Sequence, residues 1–268
     1  KSNPRNGFIG SVGAPYFNAA AGPIALVLMA AMALGPLLRW RHDELRALIR
    51  RLALPLLLAA AALLAVILLA PGIRILPLLG LVFAAGVGAA SLAPLWKRNL
   101  RRTPLFTWGM VIAHLGVAVS VAGMASESAF TKETLVSVRP GEMATVGRWS
   151  VRLEKVEPIM GPNWTAIQGT LTATRDGTTS YTLTPQARAF WAPPTETNES
   201  AILTRWNGQL YTVLGHKTED GRWQLRLWWK PFVTLIWAGG ALIALGGALS
   251  LIGRLRREHR VALQESGA

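Results

Sequence analysis

The sequence predicts an α-helical integral membrane protein of five transmembrane helices, with a small all-β, barrel-like external domain inserted between the fourth and fifth. Three observations carry this. Five apolar stretches each run to about 20 residues, which at ~1.5 Å per residue spans the roughly 30 Å hydrocarbon core of a bilayer. Between residues 125 and 230 the chain changes to short runs of Thr, Val, Trp and Tyr broken by turn residues. Across the 268 residues, 26 Gly and 11 Trp stand beside only 14 acidic side chains, a balance typical of membrane proteins.

Residues 1–18 form an external N-terminal segment that is polar and rich in Gly and Pro, and Tyr16 and Phe17 near its end suit a membrane interface. Residues 19–103 hold three transmembrane helices joined by basic cytoplasmic loops. The first span runs from Ala19 to Leu38 and carries Pro23 and Pro36; the second runs from Leu52 to Ala70; Pro71-Gly72 turns the chain into the third, Ile75 to Leu95. Residues 104–126 carry the fourth helix, whose apolar part is Pro104 to Met124. Residues 127–230 are the β domain, where alternation predicts strands at 149–156, 165–174, 179–183, 210–214 and 223–228. Arg175-Asp176-Gly177 and Glu219-Asp220-Gly221 are turn signals. Six to eight strands are expected, in a small barrel rather than a sandwich. Residues 231–253 form the last transmembrane helix and 254–268 a cytoplasmic tail. Gly109, Gly116 and Gly123 recur every seven residues, as do Gly239, Gly246 and Gly253, and Gly240 and Gly247. Matching stripes of small residues predict that the fourth and fifth helices pack together.

The net charge of +14 is concentrated beside the spans. One basic group is Arg39, Arg41, Arg46, Arg50 and Arg51; a second is Lys97, Arg98, Arg101 and Arg102; a third is Arg254, Arg256, Arg257 and Arg260. Residues 125–230 are nearly balanced, with 12 bases against 10 acids. This is the charge pattern of membrane topology, not of a nucleic-acid surface. It places the basic loops and the C-terminus inside and residues 127–230 outside. The chain has no cysteine, hence no disulfide framework and no thiol relay. It does not begin with Met and carries no signal peptide, so it is expected to be the later part of a longer polypeptide.

The chemistry converges on His114, the one ionisable side chain in the fourth span. An imidazole at membrane depth is costly without a partner and marks a functional site by default. At ~100° per residue, Thr107, Met110, Val111, Val117, Ala118 and Val121 share its face, and none could exchange a proton with it. The helix alone leaves two readings open: a metal ligand, or a histidine that satisfies itself on a serine, a carbonyl or a water. No Asp, Glu, Lys or Arg lies within any span, which argues against an ion-coupled transporter built from this chain. His42 and His259 sit in basic flanks and are expected to be solvated, and His216 ends a strand without a ligand cluster. No nucleophile motif or phosphate loop appears in the β domain. Its two pointed stretches, 161–166 and 193–202, read as turns entering strands, with a docking surface for a polypeptide as the alternative.

Five stretches carry a resemblance. They are Ser11-Val-Gly-Ala-Pro-Tyr-Phe-Asn18, Trp108-Gly-Met-Val-Ile-Ala-His-Leu-Gly116, Gly161-Pro-Asn163, Leu210-Tyr-Thr-Val-Leu-Gly215 and Lys230-Pro-Phe-Val-Thr-Leu-Ile-Trp-Ala-Gly-Gly240. With these the chain resembles the C-terminal part of the cytochrome c maturation protein F (CcmF) family of haem lyases. The resemblance implies a multi-pass protein of the bacterial inner membrane that holds a haem b between two transmembrane histidines. Such a protein receives haem from a chaperone of the CcmE type and joins it to the CxxCH thiols of apocytochrome c, working with thiol-reducing and chaperone subunits. His114 then looks like the second transmembrane haem-iron ligand. The family's Trp-rich external segment, its two flanking histidines and its first transmembrane haem ligand have no counterpart here. They are expected in an upstream half, without which the chain is not a competent lyase. The other expectation is a non-catalytic scaffold whose periplasmic β domain docks maturation partners.

Overall fold

In a computed structural model of the chain, described over residues 14–35, 45–96, 98–177 and 179–266, five helices flank ten strands. The helices are α1 (Ala14–Leu34), α2 (Leu45–Leu69), α3 (Ile75–Leu92), α4 (Leu105–Phe130) and α5 (Thr234–Ser266). Among the described residues four helical stretches are long and apolar enough to cross a membrane: Ile49–Leu69, Ile75–Leu95, Leu105–Phe130 and Thr234–His259. The apolar part of α1, Ala20–Met32, is shorter, and the expected end of the first span at Leu38 lies outside the described residues. The chain divides into two compact units, one of residues 1–118 and 241–268 and the other of residues 119–240.

In the first unit α3 lies deepest, with Ala84, Val87 and Ala90 buried. Small residues let its neighbours close in: a Cβ on Gly86 would touch Ala59 of α2 at 3.7 Å, and one on Gly88 would touch Ala118 of α4 at 3.6 Å. Pro71 and Gly72, the latter at φ 86°, end α2 and turn the chain toward α3. Two short 3₁₀ turns, Ala93–Leu95 and Leu100–Arg102, then lead to α4. Asn99 caps the second by accepting the Arg101 backbone N–H at 3.1 Å.

The glycine stripes are where α4 and α5 meet. A Cβ on Gly109 would clash with Ser250 N and would sit 2.6 Å from Gly246 O. One on Gly246 would strike Ala113 N, and one on Gly253 would lie 2.6 Å from Phe106 N. These are backbone-to-backbone approaches that only glycine permits. Ser250 Oγ donates to Phe106 O at 3.2 Å across the same seam. The expected pairing therefore holds at these positions. Gly240 and Gly247, by contrast, face open space. Helix α5 also continues through the tail to Ser266, because Arg, Leu, Ala and Glu dominate after Gly253 and no proline interrupts them.

The second unit carries the strands β1 (Lys132–Val138), β2 (Met143–Val146), β3 (Trp149–Gly161), β4 (Trp164–Arg175), β5 (Thr179–Leu183), β6 (Gln186–Trp191), β7 (Pro194–Glu199), β8 (Ala201–Arg205), β9 (Gly208–Lys217) and β10 (Trp223–Pro231). They form an antiparallel sheet in the order β1-β10-β9-β8 and a second in the order β2-β3-β4-β6-β7. Strand β4 is long enough to pair twice, with β6 along Trp164–Gln168 and with β5 along Leu171–Arg175. Inward side chains of both sheets, among them Trp149, Leu153, Leu171, Leu210, Leu225 and Leu227, make one core. Among the described residues no ladder joins the two sheets, so the barrel-like closure expected from the sequence gives way to two facing layers, with ten strands described in place of six to eight. The additional strands are short or exposed. All six side chains of β7 face solvent, so it carries no alternation to read.

Candidate functional site

His114 lies midway along α4, half-buried, on a helix whose Thr107, Val111 and Ala118 are buried. Its Nδ1 stands 2.8 Å from the carbonyl oxygen of Met110, one turn back. A carbonyl can only accept, so Nδ1 carries the proton and donates it there. The lone pair is therefore on Nε2, which has no partner among the described residues. A histidine that grips backbone through one nitrogen and presents the other is the arrangement that metal-bound imidazoles use. It also meets half of the simpler reading, since one ring nitrogen is satisfied locally. Among the described residues no three His, Cys, Asp or Glu side chains gather as a metal cluster.

The other candidates separate from it. His216 is exposed at the end of β9, and His259 is exposed on α5. His42 lies outside the described residues. The two pointed loops come together instead. Gly161 pairs with Trp164 across the two-residue turn Pro162-Asn163, and Trp191 pairs with Pro194 across Ala192-Pro193. Trp191 N–H donates to Asn163 O at 3.2 Å, and Asn163 Nδ2 donates to Ala192 O at 3.1 Å, tying one turn to the other. A side chain at Gly161 would run into the Trp164 ring, over which the Arg188 guanidinium sits at 4.4 Å. Turn chemistry thus accounts for both stretches. Beside them Met160 and Trp191 are left exposed.

One group went unread in the sequence. Trp149, the largest buried side chain of the domain, meets Tyr181 edge-on at 6.1 Å and Trp229 at 5.8 Å. The Arg175 guanidinium lies 5.9 Å from the Trp149 ring and 5.7 Å from that of Trp229. Trp149, Arg175 and Trp229 come from β3, β4 and β10, so no local spacing could announce them.

Comparison with known proteins places this architecture among relatives. Residues 129–231 match the family model described as the CcmF C-terminal beta-sandwich. The chain is 36% identical over 261 residues to the cytochrome c-type biogenesis protein CycK of Rhizobium meliloti, covering 92% of this chain and 38% of that protein. It is 33% identical over 263 residues to the cytochrome c-type biogenesis protein CcmF of Escherichia coli, covering 96% and 40%. A solved structure titled cytochrome c heme lyase CcmF shares the fold, with a TM-score of 0.66 and 23% identity over 89% of this chain and 40% of that one. The chain thus spans about two fifths of the length of the relatives it matches.

Proposed function

Because this chain belongs to the CcmF family, as its C-terminal part, we propose that it serves cytochrome c maturation by holding a haem b in the membrane through His114. The observation that carries the reading is the direction of the imidazole: Nδ1–H is committed to Met110 O, which leaves Nε2 for iron. When bound, haem supplies an iron whose potential its axial ligands tune. Met110 and Val117 share the helix face of His114 by spacing and are apolar, so a macrocycle could lie there without stripping water from a charge. The second axial ligand would come from the upstream half of the lyase, and the chain alone would not be an active enzyme. In this reading haem arrives from a chaperone of the CcmE type and leaves for the CxxCH motif of apocytochrome c, aided by that cytochrome's thiol-reducing and chaperone subunits. Residues 127–230 would lie in the periplasm of the bacterial inner membrane, and the basic loops and C-terminus in the cytoplasm.

The experiment is a pyridine haemochrome assay on the purified complex, run beside a cytochrome c reporter. His114→Ala is expected to remove most of the bound haem b and to abolish maturation, whereas His216→Ala leaves both unchanged. His114→Met retains part of the haem at a shifted potential. Full haem content in His114→Ala would withdraw the ligand assignment. The non-catalytic scaffold would then lead, a reading supported by a family match that falls on the β domain and by the exposed Met160 and Trp191 at its turns.

A further inference from the structure

The second unit contains a cavity of about 210 Å³ where the sheets meet the ends of the helices, walled by Lys132, Arg148, Trp149, Arg175 and Trp229 and floored by Phe130. We propose that it binds the phosphate of an anionic phospholipid headgroup. Four observations combine.

Every polar side chain on the wall is a donor. Three are cationic and two are indoles, of which the Trp149 N–H is buried and has no acceptor among the described residues. A buried donor left unmade is costly, and a phosphate oxygen would satisfy it. The charge is also unbalanced. Asp176 is the carboxylate that neutralises this wall, and it takes Arg148 in two contacts, at 3.1 and 2.9 Å. It stands 3.8 Å from Arg175, and Lys132 has no carboxylate partner among the described residues. Lys132 is thus a cation on this wall that an anion would meet.

The place selects the source. Phe130 is the last residue of α4, and Pro231, also on the lining, ends β10 three residues before α5 begins. Both adjoin stretches long and apolar enough to span a bilayer, so the cavity adjoins the ends of those stretches, where headgroups would lie and indoles are favoured. Clusters of Lys and Arg at that level attract anionic lipid. Finally, the rim is kept clear. Gly147 turns the chain there at φ 61°, and a Cβ on it would meet Lys132 Cδ at 3.4 Å and Trp229 Cδ1 at 3.8 Å. The volume admits a headgroup but falls short of a typical small-molecule pocket. This inference does not depend on His114.

The test uses the full chain in detergent. It is titrated with short-chain phosphatidylglycerol, short-chain phosphatidylcholine or inorganic phosphate, and occupancy is read by native mass spectrometry. Phosphatidylglycerol is expected to bind at least about tenfold more tightly than phosphatidylcholine and to resist displacement by inorganic phosphate. Lys132→Glu, at an exposed position that leaves the core intact, lowers its affinity about tenfold, and Lys132→Arg restores it. Trp149→Phe, which keeps the ring but removes the N–H, weakens binding several-fold. Equal binding of the two lipids, or an unchanged affinity in Lys132→Glu, would overturn the site. Displacement by millimolar inorganic phosphate would show a free-anion site and overturn the lipid assignment.

Discussion

At His114 the helix backbone chooses the tautomer. The Met110 carbonyl holds the ring by Nδ1, so what the side chain offers is one lone pair in one direction. The sequence could single out the residue, because it is the lone ionisable group in an apolar span, but not the nitrogen. That depends on a carbonyl, and carbonyls are invisible in side-chain spacing. Two carboxylates of the β domain extend the residue-scale account to pH. Hydrogen bonding from Arg226 holds the Glu133 carboxyl below its ordinary value of 4.5, and the Thr218 hydroxyl does the same for Asp220 relative to 3.8. A carboxyl lowered in the folded state contributes stability that is complete above its unfolded pKa and is lost as pH falls through the folded one. Both groups lie at the surface, so the contribution is small and screened by salt. The thermal midpoint of the domain should therefore fall modestly as pH drops from about 5 towards 3. In Glu133→Gln part of that dependence should vanish, as circular dichroism melts at several pH values would register. A pH profile identical to that of the parent chain would contradict the role of Glu133.

At the scale of elements, the decisive contact is the glycine seam. Gly109, Gly246 and Gly253 bring the backbones of α4 and α5 together, whereas Gly247, one residue from Gly246, touches nothing within 4 Å. Inserting a large side chain into a well-packed seam costs typically ~1–3 kcal/mol, while a surface position should tolerate it. Gly246→Leu is therefore expected to lower the detergent melting temperature and haem retention together, with Gly247→Leu close to the parent. Similar behaviour of the two variants would remove the seam from the account. The seven-residue spacing announced this pairing but also marked Gly240 and Gly247, which the structure leaves facing outward. Periodicity gives the stripe; which of two adjacent stripes is used depends on the partner's shape. Among the strands, those with inward alternation were legible: β3, β4, β5, β9 and β10 fall where the pattern put them. Strand β7 was not, because its exposed polar residues hold their place by pairing with β6 alone.

For the whole molecule, charge carries the strongest expectation. The basic groups at 39–51, 97–102 and 254–260 all flank apolar helices, and cytoplasmic loops are enriched in Lys and Arg. Single cysteines introduced into this cysteine-free chain test the orientation directly. Those at 97–101 should resist an impermeant thiol reagent in intact cells, and those on exposed positions of β7 should react; labelling at 97–101 from outside would reverse the topology. The two-layer form of the domain was not legible at this scale, since barrel and sandwich use the same alternation and differ only in whether the last ladder closes. The way the domain is attached has its own consequence. Strand β1, which leaves α4, and β10, which leads into α5, are hydrogen-bonded neighbours, with Lys132 opposite Trp229. Entry and exit are thus separated by one interstrand spacing, ~4.8 Å. The β domain is wired as a cassette: its two connections occupy no more room than a tight turn. Loops within it can lengthen, shorten or be exchanged between relatives while the splice points, and the helices they join, stay where they are.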